Sequence, residues 1–350
     1  MDDSTEGTGA DRGTGTGAGI EAGGAADRYD VLVVGGSGID TIVRVDELKI
    51  PGSDSVSVPP VRDYVAHTGN GVALGFHALG RRTKFVDFLG DDAPGRMILA
   101  KYAAVGLDFD HLVAPAGTPR SVNLVDAEGR RFSFFDGRHP ADLLMPLSFC
   151  GPYLDRARHV YLARSHVNRE LFDAARRRGV PVSTDLHTWD GADPSAHPWA
   201  YGADYVFMSA ATVKEGVADV LRDIVARGRA RLAVATDGAD GSYVLDRARP
   251  DLVRHVPAVR PERPVVDSNG AGDAYVTAFL HTLFDGGDLD QCALAGSVSG
   301  AFACGHHGTH EAQIGADELA ASCLRARASG AADGTAAAGG AVADGAAVSG

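Results

Sequence analysis

Apolar residues come in short, dense runs along this chain. Val31-Leu32-Val33-Val34, Arg82–Leu89, His159–Ala163, Pro181–Asp185, Ala203–Met208 and Arg231–Thr236 are such runs, mostly separated by stretches of helical spacing. A continuous apolar run marks a strand buried on both faces, and its alternation with helices predicts βαβ units around a parallel sheet. Ligands of such sheets bind beyond the carboxyl ends of the strands, where Asp185, His187, Ser209 and Asp237 fall. Residues 41–66 and 119–136 follow another rhythm. Polar and apolar residues alternate there, and Arg120–Val125 and Arg131–Phe135 flank Asp126-Ala127-Glu128-Gly129, a hairpin signal. These segments predict a small β-sheet apart from the main one. Tyr64, Val65, Phe132, Phe134 and Phe135 give it an apolar face, and so small a sheet is marginal unless that face is covered.

The ends of the chain carry no such pattern. Residues 1–27 are mostly Gly, Ala, Thr and Asp, with Ile20 the one large aliphatic after Met1, and residues 328–350 are nearly all Ala, Gly, Ser, Asp and Val. Both are expected to be disordered tails. That leaves one α/β domain over residues 28–327 of the 350. A net charge of −13 argues against nucleic acid or an anionic membrane as a partner. Cys150, Cys292, Cys304 and Cys323 show neither C-x-x-C spacing nor a disulfide framework, as a reducing cytoplasm predicts. No apolar run approaches about 18 residues, and the N-terminus lacks a basic-then-apolar signal pattern. The expectation is a soluble cytoplasmic protein.

Candidate chemistry concentrates in Asp267-Ser268-Asn269-Gly270-Ala271-Gly272-Asp273, which follows Pro264-Val265-Val266 and leads into the helical pattern Ala274–Leu280. Gly270, Ala271 and Gly272 let a ligand approach the backbone closely. The first N–H groups of a helix have no partner within it and sit at the positive end of its dipole, a geometry that binds phosphate. The residues alone leave a second reading open, a tight glycine turn before an acidic first turn. Thr236-Asp237-Gly238-Ala239-Asp240-Gly241 is another turn whose hydroxyl and N–H groups can reach phosphates. Gly35-Gly36-Ser37-Gly38-Ile39-Asp40 begins like a dinucleotide fingerprint, but Thr41 stands where Gly or Ala is required and the following residues alternate as a strand. No lysine follows a glycine, which excludes a Walker A loop, and no H-R-D, D-F-G or G-x-S-x-G is present. His306, His307 and His310 lack the spacing of a zinc site.

Asp267–Asp273 resembles the D-T-x-G-A-G-D signature of the ribokinase/PfkB family of carbohydrate kinases, with Ser268 in place of Thr. Thr236–Gly241 resembles that family's T-x-G-x-x-G nucleotide loop, and Leu89–Gly95 its L-G-D-D-x-x-G run. The resemblance covers roughly residues 29–325. It implies a ribokinase-like three-layer αβα fold with a mainly parallel central sheet, and a small β lid from 41–66 and 119–136. The implied activity is transfer of the ATP γ-phosphoryl group to a sugar or pseudosugar hydroxyl, with an alcohol as acceptor. Asp273 is then the base, and Gly270, Ala271 and Gly272 form the anion hole. Asp40, Gly69, Asn70 and Gly71 are the implied sugar contacts. Thr236, Asp237, Gly238, Gly241, Asn269, Gly305 and Gly308 are the implied nucleotide contacts, with Ala301 and Ala303 toward the base.

Two family features are altered. The glycine pair and Asn before the first long helix are irregular around Gly69-Asn70-Gly71. Ser209 and Thr212 stand where N-x-x-E helps to place magnesium, so the metal is expected to ride on ATP, with Asp185 and Glu215 as substitute ligands. Asp267 is the candidate site for a monovalent cation, K⁺. A homodimer clasped through the lids is also implied. Ser183–Gly191, Val206–Ala210 and Val265–Asp273 are most similar to the actinobacterial acarbose 7-kinase branch. Two other readings are a nucleoside kinase and a catalytically impaired sugar-binding protein of the same fold.

Overall fold

A computed structural model describes residues 28–49, 52–127 and 130–339, with side chains through 329. The chain runs β1 (Val31–Val34), β2 (Gly38–Arg44), β3 (Arg62–Ala66), α1 (Thr68–Ala78), β4 (Thr83–Leu89), α2 (Ala93–Val105), β5 (Asp108–Val113), β6 (Arg120–Val125) and β7 (Arg131–Asp136). Then come α3 (Leu147–Leu154), β8 (Val160–Leu162), α4 (Leu171–Arg177), β9 (Val182–Asp185), α5 (His197–Gly202), β10 (Tyr205–Ser209), α6 (Val217–Arg227) and β11 (Leu232–Thr236). It closes with β12 (Ser242–Asp246), β13 (Val253–Val256), α7 (Ala271–Phe284), α8 (Leu289–Cys304) and α9 (Ala316–Gly339).

The apolar runs become the interior of a nine-stranded sheet, in the order β13-β12-β11-β10-β9-β8-β1-β4-β5. Every pairing from β11 to β5 is parallel, and β12 and β13 add an antiparallel edge. β1 shows why the runs are continuous. Val31 and Val33 enter a cluster with Phe76, Phe279 and Ile98, while Leu32 and Val34 enter one with Leu154, Leu171 and Leu221. Successive side chains thus bury on opposite faces. Helices α1, α2, α7 and α8 cover one face and α3–α6 the other, giving three layers.

The alternating segments pair as a separate four-stranded sheet, β3-β2-β6-β7, mixed in direction. It begins at Gly38, earlier than residue 41, so the lid strand follows β1 almost directly. Its predicted tip at residues 128–129 lies outside the described residues, as do 50 and 51. Asp92 ties this sheet to the body. It caps α2 by accepting from Gly95 N–H at 2.8 Å and also accepts from Thr118 N–H at 2.9 Å, just before β6. Of the residues expected on its apolar face, Val65 is buried and Tyr64 half-buried, while Phe132, Phe134 and Phe135 are exposed. α9 continues to Gly339, past the domain boundary expected at 327, whereas residues 1–27 and 340–350 lie outside the described residues.

Candidate active site

All the parallel strands end at one edge of the large sheet, and two glycine-rich helix starts meet there. After β1, Gly35 and Gly36 adopt φ of 77° and 86°, and Gly36 accepts the Asn70 N–H at 3.0 Å. A Cβ on Gly69 would lie 1.8 Å from the Gly35 carbonyl oxygen. Asp87 fixes this turn by accepting from Ser37 N–H at 2.7 Å and Ser37 Oγ at 2.6 Å, and burial pushes its carboxyl up to about 6.

The second start is α7, with Gly270 as N-cap at φ 77°. A Cβ there would stand 2.6 Å from the His310 ring, whereas one on Gly272 would meet nothing within 4 Å. The space over the first amides of α7 is therefore open. Asp273, in its first turn, lies 2.7 Å through Oδ2 from His310 Nε2. On its far side, His310 Nδ1 is 3.0 Å from Asn70 Nδ2, which also donates to Val65 O at 3.1 Å. The Val65 carbonyl requires the amide NH₂ to point this way. Nδ1 then accepts, so Nε2 carries the proton and donates to Asp273.

This is not the role the sequence suggested for Gly69, Asn70 and Gly71. All three are buried. Gly69 packs on Gly35, Gly71 packs under the His310 ring, and Asn70 orients that ring. Another group of polar side chains gathers around Asp40 of the lid sheet. Asp40 accepts from Thr309 Oγ1 at 3.2 Å and lies 3.5 Å from His67 Nε2, which is 3.2 Å from Ser121 Oγ. Burial lowers the affinity of His67 for a proton, so the Asp40 contact is polar but not an ion pair. In the strand register Asp40 pairs with Ser121 and Ser121 with Phe135, placing all three on one face. The Phe135 ring is 70% exposed and its centroid lies 5.6 Å from that of His67.

At the neighbouring strand ends, Asp185 accepts from His187 N–H at 2.7 Å, and burial raises its pKa. Thr236 and Asp237 begin the turn after β11. Gly241 must be glycine, with φ 105° and Val256 O only 2.1 Å from where a Cβ would be; Gly238 faces open space. Ser209 and Thr212 are less available than expected. Ser209 Oγ accepts from Ala211 N–H at 3.3 Å, and the Thr212 hydroxyl lies 3.2 Å and 3.3 Å from the carbonyls of Thr188 and Trp189. Glu215 is exposed in the following turn.

The remaining predicted residues also make contacts within the protein. Gly305 ends α8 beside Arg263, and Gly308 lies against Tyr64 at φ 92°. Asn269 donates to Asp267 Oδ1 at 2.7 Å and accepts from Arg131 at 2.7 Å. His306 bonds Phe302 O and Arg263, and His307 lies near Arg44, so neither joins His310. Among the described residues no three His, Cys, Asp or Glu side chains cluster as a metal site. A cavity of about 310 Å³ lies between lid and body, lined in part by Arg44, Val125, Val266, Asp267 and Ser268. Sequence reasoning missed His67, Arg44 and Arg131 altogether, and it weighed His310 only as a zinc ligand, which the spacing argued against. Their partners are distant in sequence, and no local spacing signals such contacts.

The comparisons with known proteins bear on the family and the fold. The family profile described as pfkB family carbohydrate kinase matches residues 29–314. An acarbose 7(IV)-phosphotransferase of Actinoplanes sp. is 45% identical over 280 residues, covering 80% of this chain and 93% of that protein. A 5-dehydro-2-deoxygluconokinase of Bacillus velezensis is 25% identical over 328 residues, covering 83% and 93%. The structure of the microbiome-derived acarbose kinase Mak1 superposes with a TM-score of 0.79 at 45% identity, covering 85% of this chain and 100% of that one. Arabidopsis thaliana ribokinase, complexed with ribose and ATP, superposes at 0.71 with 18% identity, covering 85% and 99%, a likeness of fold alone. With the glycine-capped α7, its aspartate and the β lid in the expected places, the chain belongs to the pfkB family of carbohydrate kinases and is an ATP-dependent sugar kinase.

Proposed function

We propose that this kinase phosphorylates a hydroxyl of an acarbose-like pseudo-oligosaccharide. The 45% identity to the acarbose 7(IV)-phosphotransferase supports that acceptor, and the nucleoside-kinase and impaired-binder readings are not favoured. The observation that carries the mechanism is Asp273, hydrogen-bonded through Oδ2 by His310 at 2.7 Å while the helix start beside it is open. Phosphoryl transfer passes through a loose transition state, so positioning and charge neutralisation do most of the work. Asp273 accepts the proton of the acceptor hydroxyl through its other oxygen, with His310 holding the carboxylate in place. The N–H groups at Gly270, Ala271 and Gly272 receive the developing charge on the transferred group. Asp40 accepts from acceptor hydroxyls, and Phe135 supplies an apolar wall for a sugar ring.

The nucleotide lies against the Thr236–Gly241 turn, with Thr236, Asp237 and Gly238 toward its phosphates. Magnesium bound to the nucleotide would supply charge neutralisation at the phosphates. The hydroxyls of Ser209 and Thr212 are engaged elsewhere, so Asp185 is the carboxylate at the strand ends that fits a ligand role. The outer face of the lid carries Phe132 and Phe134, 55% and 58% exposed, and supports a homodimer clasped there. A monomer mass in light scattering, unchanged by substrate and by Phe134→Asp, would sink the clasp. Reliance on ATP and four free cysteines fit the cytoplasm, and no helix among the described residues is long and apolar enough to cross a membrane. A coupled ADP-release assay over sugars, nucleosides and acarbose tests the acceptor: turnover highest on acarbose supports it, and a preference for a nucleoside overturns it.

A further inference from the structure

Asp267 is where the family resemblance places a monovalent cation, and its carboxylate is already full. The side chain is 1% exposed. Oδ1 accepts from the Asn269 N–H at 3.0 Å and from Asn269 Nδ2 at 2.7 Å. Oδ2 accepts from the Gly308 N–H at 3.3 Å and from Arg44 Nη2 at 2.8 Å. An ionised carboxylate offers about four lone-pair positions, and these four N–H groups take them. Three of the donors are neutral. Only Arg44 brings the compensating charge that a buried carboxylate needs.

Arg44 comes from the lid, not from the body that holds Asp267. It lies at the end of β2, in register with Val125 of β6, which pairs in turn with Arg131 of β7. The two arginines therefore share one rung and one face of the lid sheet, and both reach the same loop. Arg131 Nη1 donates to Asn269 Oδ1 at 2.7 Å while Asn269 holds Asp267. That loop runs directly into the open helix start at Gly270. A guanidinium stays charged at any working pH and presents donors in a fixed plane, so its charge depends on no dissolved ion.

We propose that the Arg44 guanidinium is the built-in cation of this kinase, carried by the lid to Asp267 in the place a monovalent metal ion would occupy, and that turnover needs no such ion. The inference rests on the kinase reading, so one arm of its test reads the cation without turnover. In that arm, melting temperatures are compared in potassium chloride and tetramethylammonium chloride at equal ionic strength. The wild-type protein is expected to melt at the same temperature in both, and Arg44→Met to be stabilised by potassium alone. In the kinetic arm, wild-type turnover should be equal in the two salts. Arg44→Met should lose about tenfold or more in tetramethylammonium chloride, on the scale of a coupling between sites, and recover in part with potassium. Potassium activation of the wild-type enzyme would overturn the proposal, as would an Arg44→Met loss that potassium leaves unrelieved. The wild-type arms decide even if that variant does not fold.

Discussion

The two glycine-rich helix starts at this site look alike in sequence and are built for opposite ends. At α1, Gly69 and Gly71 are glycine because protein fills the space: the Gly35 carbonyl lies 1.8 Å, and His310 Nε2 2.3 Å, from where their Cβ atoms would be. At α7, Gly270 is packed in the same way, yet Gly272 opens onto empty space. His310 sits between the two, accepting from Asn70 of one start and donating to Asp273 of the other. A glycine at a close approach thus tells that something comes near, but not whether it is the protein's own backbone or a ligand. The closed start sets the position of the open one.

Substitutions can break that contrast. Gly69→Ala drives a methyl into a backbone carbonyl that cannot swing aside, and should cost about 3 kcal/mol of stability, the upper range for overpacking. Chemical denaturation checks it, and an unchanged midpoint would mean that the closed start is not closed. His310→Asn tests the link between the two. His310 has φ 61°, a conformation asparagine tolerates, so the backbone should persist. We expect kcat to fall about tenfold to a hundredfold through misplacement of Asp273, with KM little changed. A rise in KM alone would instead make His310 a substrate contact.

Gly272→Ala should do the reverse of Gly69→Ala. Its methyl meets no protein atom, so stability should hold while kcat drops about tenfold as the methyl crowds the incoming phosphoryl group. Loss of stability with full activity would exchange the roles assigned to the two starts.

A smaller effect should come from pH. His67, the N-cap of α1, has its pKa lowered from 6.5 by burial, and the buried His159 is lowered to about 3. Below 6.5 the unfolded chain therefore binds protons that the folded protein refuses, and stability is lost as pH falls. Each such histidine costs at most about 1.4 kcal/mol per pH unit in that window. Asp87, raised to about 6, works the other way between that pH and 3.8, because there the folded state binds the extra proton. Replacing His159 with Phe should flatten the acid side of the stability curve, and an unaltered slope would show that its burial is not what couples folding to pH.

Much of this was legible before any coordinates. The dense apolar runs gave the parallel sheet because strands covered on both faces have no polar side to alternate with, as Val31–Val34 show. Asp267–Asp273 is readable because an anion site at a helix start is local, written in consecutive residues. The edge strands β5 and β13 carry too few buried positions to stand out. Asn70 was a sugar contact only by family resemblance, and only the fold brings in His310 to claim it. Arg44 meets Asp267 across 223 positions, a pairing that belongs to the lid register and not to any spacing.

The central claim is that the open start carries the chemistry through Asp273. Its most direct test is the steady-state rate of Asp273→Asn on the best acceptor, with ATP and acceptor affinities followed by calorimetry. Asparagine keeps the shape and can still contact His310, but it cannot take a proton. Both ligands should bind nearly as before while kcat falls by at least about 10²-fold, the lower end for a lost general base. A variant that turns over at the wild-type rate would contradict it.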